Sequence, residues 1–211
     1  MRPFSLGSVV GGGRRAVTLL CVLLVCGIET LFTAALPLYG AELDYANPAL
    51  IGLALSLSGG VAFLLLPFFV GGVDDGRLRR LMLACGIAMI ISVLLVREAQ
   101  SLGPAALLAG SLAFGFGRTV GMVGILTMIA WLPGSRTVNQ GWNGSLQRLG
   151  SLVALLASGA FFASGNWNAV FIVMAAMILS WWFFSDRSAK LVHQAGESRA
   201  GSTPRETPRR L

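Results

Sequence analysis

Long apolar runs, separated by short polar breaks, set the pattern of this chain. Six runs stand out, at 16–38, 49–70, 81–96, 105–130, 142–164 and 169–185. A helix crossing a hydrocarbon core needs about 20 mostly apolar residues. Most of the runs meet that length, and the third and sixth reach it by borrowing residues from their flanks. None alternates polar and apolar positions as a barrel strand would, so the pattern predicts helices. Proline or glycine marks the breaks at Pro48, Gly71-Gly72, Gly103-Pro104, Pro133-Gly134 and Gly165. The expected fold class is therefore all-α integral membrane with six transmembrane helices. The expected layout is an N-terminal segment 1–15, a transmembrane domain 16–185 and a tail 186–211. The tail is rich in Ser, Gly, Pro, Arg and Glu, a composition that predicts disorder.

Composition narrows the class further. Hydrophobic residues make up 55% of the chain, which leaves no low-hydropathy stretch large enough for a second, water-soluble domain. A net charge of +7 raises nucleic acid as a partner. The basic residues, however, fall between apolar runs rather than on one amphipathic surface, so membrane lipid is the expected partner and nucleic acid is not. Six spans put the N-terminus, the 71–80 hairpin, the 131–141 connection and the tail on one side. That side holds Arg2, Arg14, Arg15, Arg77, Arg79, Arg80, Arg136 and the basic residues of the tail, against Arg97 alone on the other. The positive-inside rule then places both termini in the cytoplasm, in a multi-pass protein of the cell (inner) membrane. A cleaved leader is the competing reading of residues 1–40, but the apolar run is too long for one and carries Glu29. Cys21, Cys26 and Cys85 all fall inside apolar runs and do not form a disulfide framework.

The hairpin between the second and third spans reads Gly71-Gly-Val-Asp-Asp75-Gly-Arg-Leu-Arg79-Arg80, with Leu83 following. This order of glycine, aliphatic, acid and paired arginines resembles the signature loop of the major facilitator superfamily of transporters. Its second glycine is replaced by Leu78. Three further pieces are similar to that family, in the same order. Arg118, Gly121 and Gly124 resemble the motif of its fourth helix, Pro133, Arg136 and Gly141 its loop into helix five, and Gly165-Asn-Trp-Asn168 its turn into helix six. A glutamine-glycine pair after Arg118 and a proline near Gly150 are absent, and the second departure weakens a drug/proton antiport assignment. The resemblance covers residues 16–185. It implies a six-helix, N-terminal-like half built of two inverted three-helix repeats, and a secondary-active transporter of a small solute. It also implies that Gly71, Asp75, Arg79, Arg80 and Arg136 belong to a gate at the cytoplasmic mouth. Topology alone accounts for the arginines but gives no reason for Asp75.

Three charges lie inside the spans: Glu29, Arg118 and Arg148. Such charges cost about 2.5–3.5 kcal/mol each at mid-helix, which favours a partner or a watery cavity over exposure to lipid. Counting about 1.5 Å per residue puts Glu29 roughly 20 Å, and Arg118 and Arg148 roughly 10 Å, from the cytoplasmic surface. Glu29 is the candidate proton carrier, with Cys26, Thr30 and Thr33 continuing its small or polar stripe. Arg118 either holds substrate or balances Glu29, and the competing reading of all three charges is a structural lock between helices. Two arginines against one glutamate favour an anionic solute. For the glycines, Gly117 and Gly121 included, close helix packing is the expected role. Trp131, Trp142, Trp167, Trp181 and Trp182 are expected as anchors at the membrane interfaces.

Catalysis is disfavoured. The single histidine, His193, is in the tail, and neither a zinc-ligand set nor a nucleotide-binding glycine loop is present, so no cofactor or metal is expected. A facilitator places its substrate between two six-helix halves. The expected partner is therefore a second half or a second copy of the chain, and a non-transporting membrane fragment or regulatory half is the alternative.

Overall fold

In a computed structural model, the backbone is described for residues 13–69, 75–130, 132 and 135–200, and most side chains among these as far as 187. The helices are α1 (Gly13–Gly40), α2 (Pro48–Leu65, continued by a 3₁₀ turn at Leu66–Phe69), α3 (Asp75–Arg97), α4 (Pro104–Ala130), α5 (Arg136–Ala163) and α6 (Trp167–Ala200). A single helical turn, Ala99–Leu102, joins α3 to α4. All six long helices are apolar enough to cross a membrane, and each coincides with a predicted span.

The boundaries have local causes. Asn47 caps α2, its side chain accepting from the Leu50 amide at 2.8 Å, and Pro48 supplies a first helical residue that has no amide hydrogen to satisfy. Gly103 and Gly165 hold φ of 80° and 62°, a left-handed backbone that a side chain would resist, and so end the preceding helical segments. Two helices run beyond their apolar spans. The 71–80 hairpin is not all loop, because α3 begins at Asp75 and carries Arg77, Arg79 and Arg80 in its first turns. The tail is not irregular from its start, because α6 continues through Ala200. Residues 186–200 are rich in good helix formers and contain no proline before Pro204, so nothing in them stops a helix already under way.

α1 and α4 form the centre of the bundle. α1 packs on α5 and α6, α4 packs on α2 and α3, and α3 packs on α6. Exchanging the first three helices with the last three leaves this set of packed pairs unchanged. Just over half of the α1 and α4 spans is buried, 56% in each, against 17% for α2 and α5. One broad face, flanked by α2 and α5, therefore remains uncovered.

Missing side chains set the closest approaches. Gly115 admits the Ser58 carbonyl of α2, 2.5 Å from where a Cβ would stand, and Gly117 admits the Cys85 carbonyl of α3 at 3.0 Å. Gly150 of α5 sits directly on the Leu23 backbone of α1. Close packing through small residues is thus the role of these glycines. Trp181 departs from its expected place at an interface. It is fully buried, with its ring against Gly121, because α6 turns that face toward the core.

Bonds between connections tie the end opposite the termini. Tyr39 donates to the Arg97 carbonyl at 2.9 Å, Tyr45 to the Ala99 carbonyl at 2.8 Å, and Trp167 to Glu42 at 2.5 Å. The Trp167 bond is exposed. Trp167→Phe is therefore expected to cost about 0.5–1.5 kcal/mol, read as a small fall in melting temperature in detergent.

Candidate functional site

Glu29 stands near the middle of α1 and Arg118 at the middle of α4. Their side chains form an ion pair, Arg118 Nη2 to Glu29 Oε1, at 2.5 Å. The depths read from the sequence separate these groups by about 10 Å, nearly two helical turns. The structure nevertheless brings the two side-chain ends together in one ion pair. Glu29 is consequently not the isolated carboxyl that its run suggests.

One turn from the pair, toward the end opposite the termini, Phe32 and Phe114 stack with ring centroids 3.7 Å apart. Both rings are almost fully buried, so an apolar plug closes the α1–α4 seam on that side. On the other side of the plug lies a cavity of about 650 Å³. Cys26, Glu29 and Thr30 of α1 line it, with Arg118 and Met122 of α4 and Gly144, Gln147, Arg148 and Ser151 of α5. The ion pair remains partly open to this space, with 32% of the Arg118 and 24% of the Glu29 side chain exposed. All three intramembrane charges thus meet at one cavity. Glu29 and Arg118 offset each other, while no carboxylate pairs with Arg148 among the described residues. The site carries a surplus of one positive charge.

Around these charges stand neutral hydrogen-bonding groups. Thr30 donates to Ser151 at 2.8 Å across the α1–α5 contact, and Gln147 donates to Asn143 at 3.3 Å along α5. Gln147, Ser151, Gly144 and Met122 join the site without being among the residues that the sequence marks. A signal for the α5 wall does exist: Asn139, Asn143, Gln147 and Ser151 recur every fourth residue in an apolar helix, forming one polar stripe. The first of them works at the termini-bearing end, where Arg15 of α1 donates to the Asn139 side-chain oxygen at 3.2 Å. The Asn139 amide in turn donates to the Leu132 carbonyl at 3.4 Å.

The residues expected to form a gate are not all brought together. Arg79 pairs with Asp186 of α6 at 2.8 Å, within this bundle. Arg80 and Arg136 are exposed. Gly71 and the side chain of Asp75 lie outside the described residues. Among the described residues no group of His, Cys, Asp or Glu is placed to hold a metal ion.

The profile described as Major Facilitator Superfamily matches residues 18–210 of the chain. No curated protein and no solved structure matches it.

Proposed function

Starting from the fact that this chain belongs to the major facilitator superfamily, a family of membrane transporters, we propose that it forms one six-helix half of a secondary-active carrier for a small anionic solute. The cavity with a surplus arginine carries this reading. Arg148 recognises the anion, since a guanidinium presents a planar fork of donors that suits a carboxylate or phosphate. Gln147, Thr30 and Ser151 offer further hydrogen bonds. Arg118 holds Glu29 while the solute is absent. An anion entering beside Arg118 competes for that guanidinium and leaves Glu29 free to take a proton, which couples solute to proton movement. The two three-helix units are inverted repeats, a relation supported by the packed pairs that survive their exchange.

The uncovered face between α2 and α5 is where a second half or a second copy closes the cavity. In this arrangement Gly71, Asp75 and Arg136 gate the cytoplasmic mouth, while Arg79, turned toward α6, leaves the gate together with Arg80, and both termini lie in the cytoplasm of an inner-membrane protein. The Arg79–Asp186 bond supports a loop braced from within its own half.

The test is uptake of small carboxylates and inorganic phosphate into proteoliposomes under an imposed pH gradient, together with particle mass in detergent. A particle of more than one six-helix unit that accumulates one of these anions is expected. Arg148→Gln should raise its KM about tenfold or more, the weight of one charge-assisted hydrogen bond. Glu29→Gln should remove the response to the pH gradient. A monomer that inserts but moves and binds none of them would identify a non-transporting membrane module instead. Transport unchanged by Glu29→Gln would remove the proton-carrying role.

A further inference from the structure

On the opposite side of the bundle from the cavity, α3 and α6 enclose a groove of about 160 Å³. Ile87, Ile90 and Ile91 of α3 and Ile178, Leu179 and Trp182 of α6 line it, and every one of these side chains is apolar. Gly86 forms its floor. A Cβ there would stand 3.3 Å from the Trp182 ring, so its absence lets the indole approach the α3 backbone closely. Ile87, Ile91 and Leu179 remain about half exposed, so the groove is open along its length.

The foot of the groove has a different character. Arg79 and Asp186 bridge α3 to α6 there at 2.8 Å, and the side chain of Arg79 remains 64% exposed. Arg80 is exposed, and shares one face of α3 with Leu83, Ile87 and Ile91, at i, i+3, i+7 and i+11. Among the described side chains there, Arg79 and Arg80 stand against Asp186, which leaves a positive charge where the apolar groove ends. The sequence of groups is an apolar slot, a tryptophan, then a cation at the level of the membrane surface.

We infer that this groove and its arginines hold one anionic phospholipid, with an acyl chain against Gly86, Ile87 and Trp182 and the phosphate at Arg80 and Arg79. Charge complementarity selects the occupant, because a neutral acyl surface would fill the slot without needing the cations at its end. Asp186 limits the attraction by holding Arg79, so the site is tuned by an acid that could be removed. The inference depends on the chain spanning a membrane and not on which solute the cavity takes.

The experiment is native mass spectrometry of the full chain in detergent, with equal phosphatidylglycerol and phosphatidylcholine added. One retained lipid per chain is expected, with phosphatidylglycerol favoured. Each basic residue at a membrane surface contributes about a fivefold preference for anionic lipid, so Arg80→Gln should lower the ratio by about fivefold. Asp186→Asn should raise it, an outcome that a merely damaged fold would not produce. Ile87→Trp, which fills the slot, should release the lipid while circular dichroism shows unchanged helix content. Equal retention of the two lipids by the unaltered chain would overturn the proposal. So would a ratio indifferent to both Arg80→Gln and Asp186→Asn. A dimer that Ile87→Trp dissociates would overturn it too, by identifying a second copy as the occupant.

Discussion

Arg118→Gln is expected to destabilise the purified chain by about 2.5 kcal/mol, and adding Glu29→Gln is expected to recover most of that loss. The single change leaves the Glu29 carboxylate without its ion-pair partner, with Arg148 at the same cavity but not paired to it. The double change leaves two neutral amides, which can bond to each other or to cavity water. Partial exposure of both side chains places the effect at the lower end of the range for charges buried in a membrane, since cavity water screens the lone carboxylate. Thermal melting in detergent of the two single variants and the double gives the coupling directly. A double variant as damaged as the sum of the singles would show that the two charges act independently, and the ion pair would lose its place in the mechanism.

Gly150→Ala should be damaging out of proportion to its single added methyl. The new Cβ would collide with the Leu23 backbone of α1, which cannot rotate aside as a side chain can. The α1–α5 contact must then open. It also holds Gly27, where a Cβ would stand 3.3 Å from the Gly150 carbonyl, and the Thr30–Ser151 bond that stitches the cavity wall. A loss of about 1–3 kcal/mol is expected from overpacking of this kind. Gly159, nearby on the same helix, has nothing within 4 Å of a Cβ position. There the same change should stabilise by about 0.5–1 kcal/mol, the helix propensity of alanine over glycine. Melting temperatures that move in the same direction for both variants would contradict the packing assigned to α5.

Much of the fold was legible before any tertiary information, but not all of the site was. The six spans were readable because each apolar run carries its own reason to enter a membrane, and the run ends coincide with Asn47-Pro48, Gly103 and Gly165, whose effect on the backbone is local. Helix limits such as Asp75 and Ala200 were less legible, because charged residues continue a helix at no great cost once it leaves the apolar layer. Glu29, Arg118 and Arg148 stood out as costly charges. The ion pair did not, since it depends on how α1 and α4 are rotated and how far each side chain reaches. Gln147 and Ser151 are inconspicuous in the sequence because hydroxyls and amides are common in spans, and only their four-residue spacing marks them. Trp181 misled for a related reason: position near the end of a run suggests an anchor, whereas the direction of the side chain decides between interface and core.

By itself, then, the sequence determined that this is a six-helix membrane protein with its arginines gathered on one side and the marks of the facilitator family. These properties are sums of transfer free energies and short motifs, each complete within a few turns of chain. Only the tertiary structure decided that Glu29 pairs with Arg118 while Arg148 has no paired carboxylate among the described residues, and that all three meet at one cavity walled by α1, α4 and α5. It also decided that the opposite side carries an apolar groove ending in arginines. Those arrangements depend on helix packing, which glycines such as Gly115 and Gly150 permit by letting backbones touch, and no local pattern of hydropathy encodes which backbones those are.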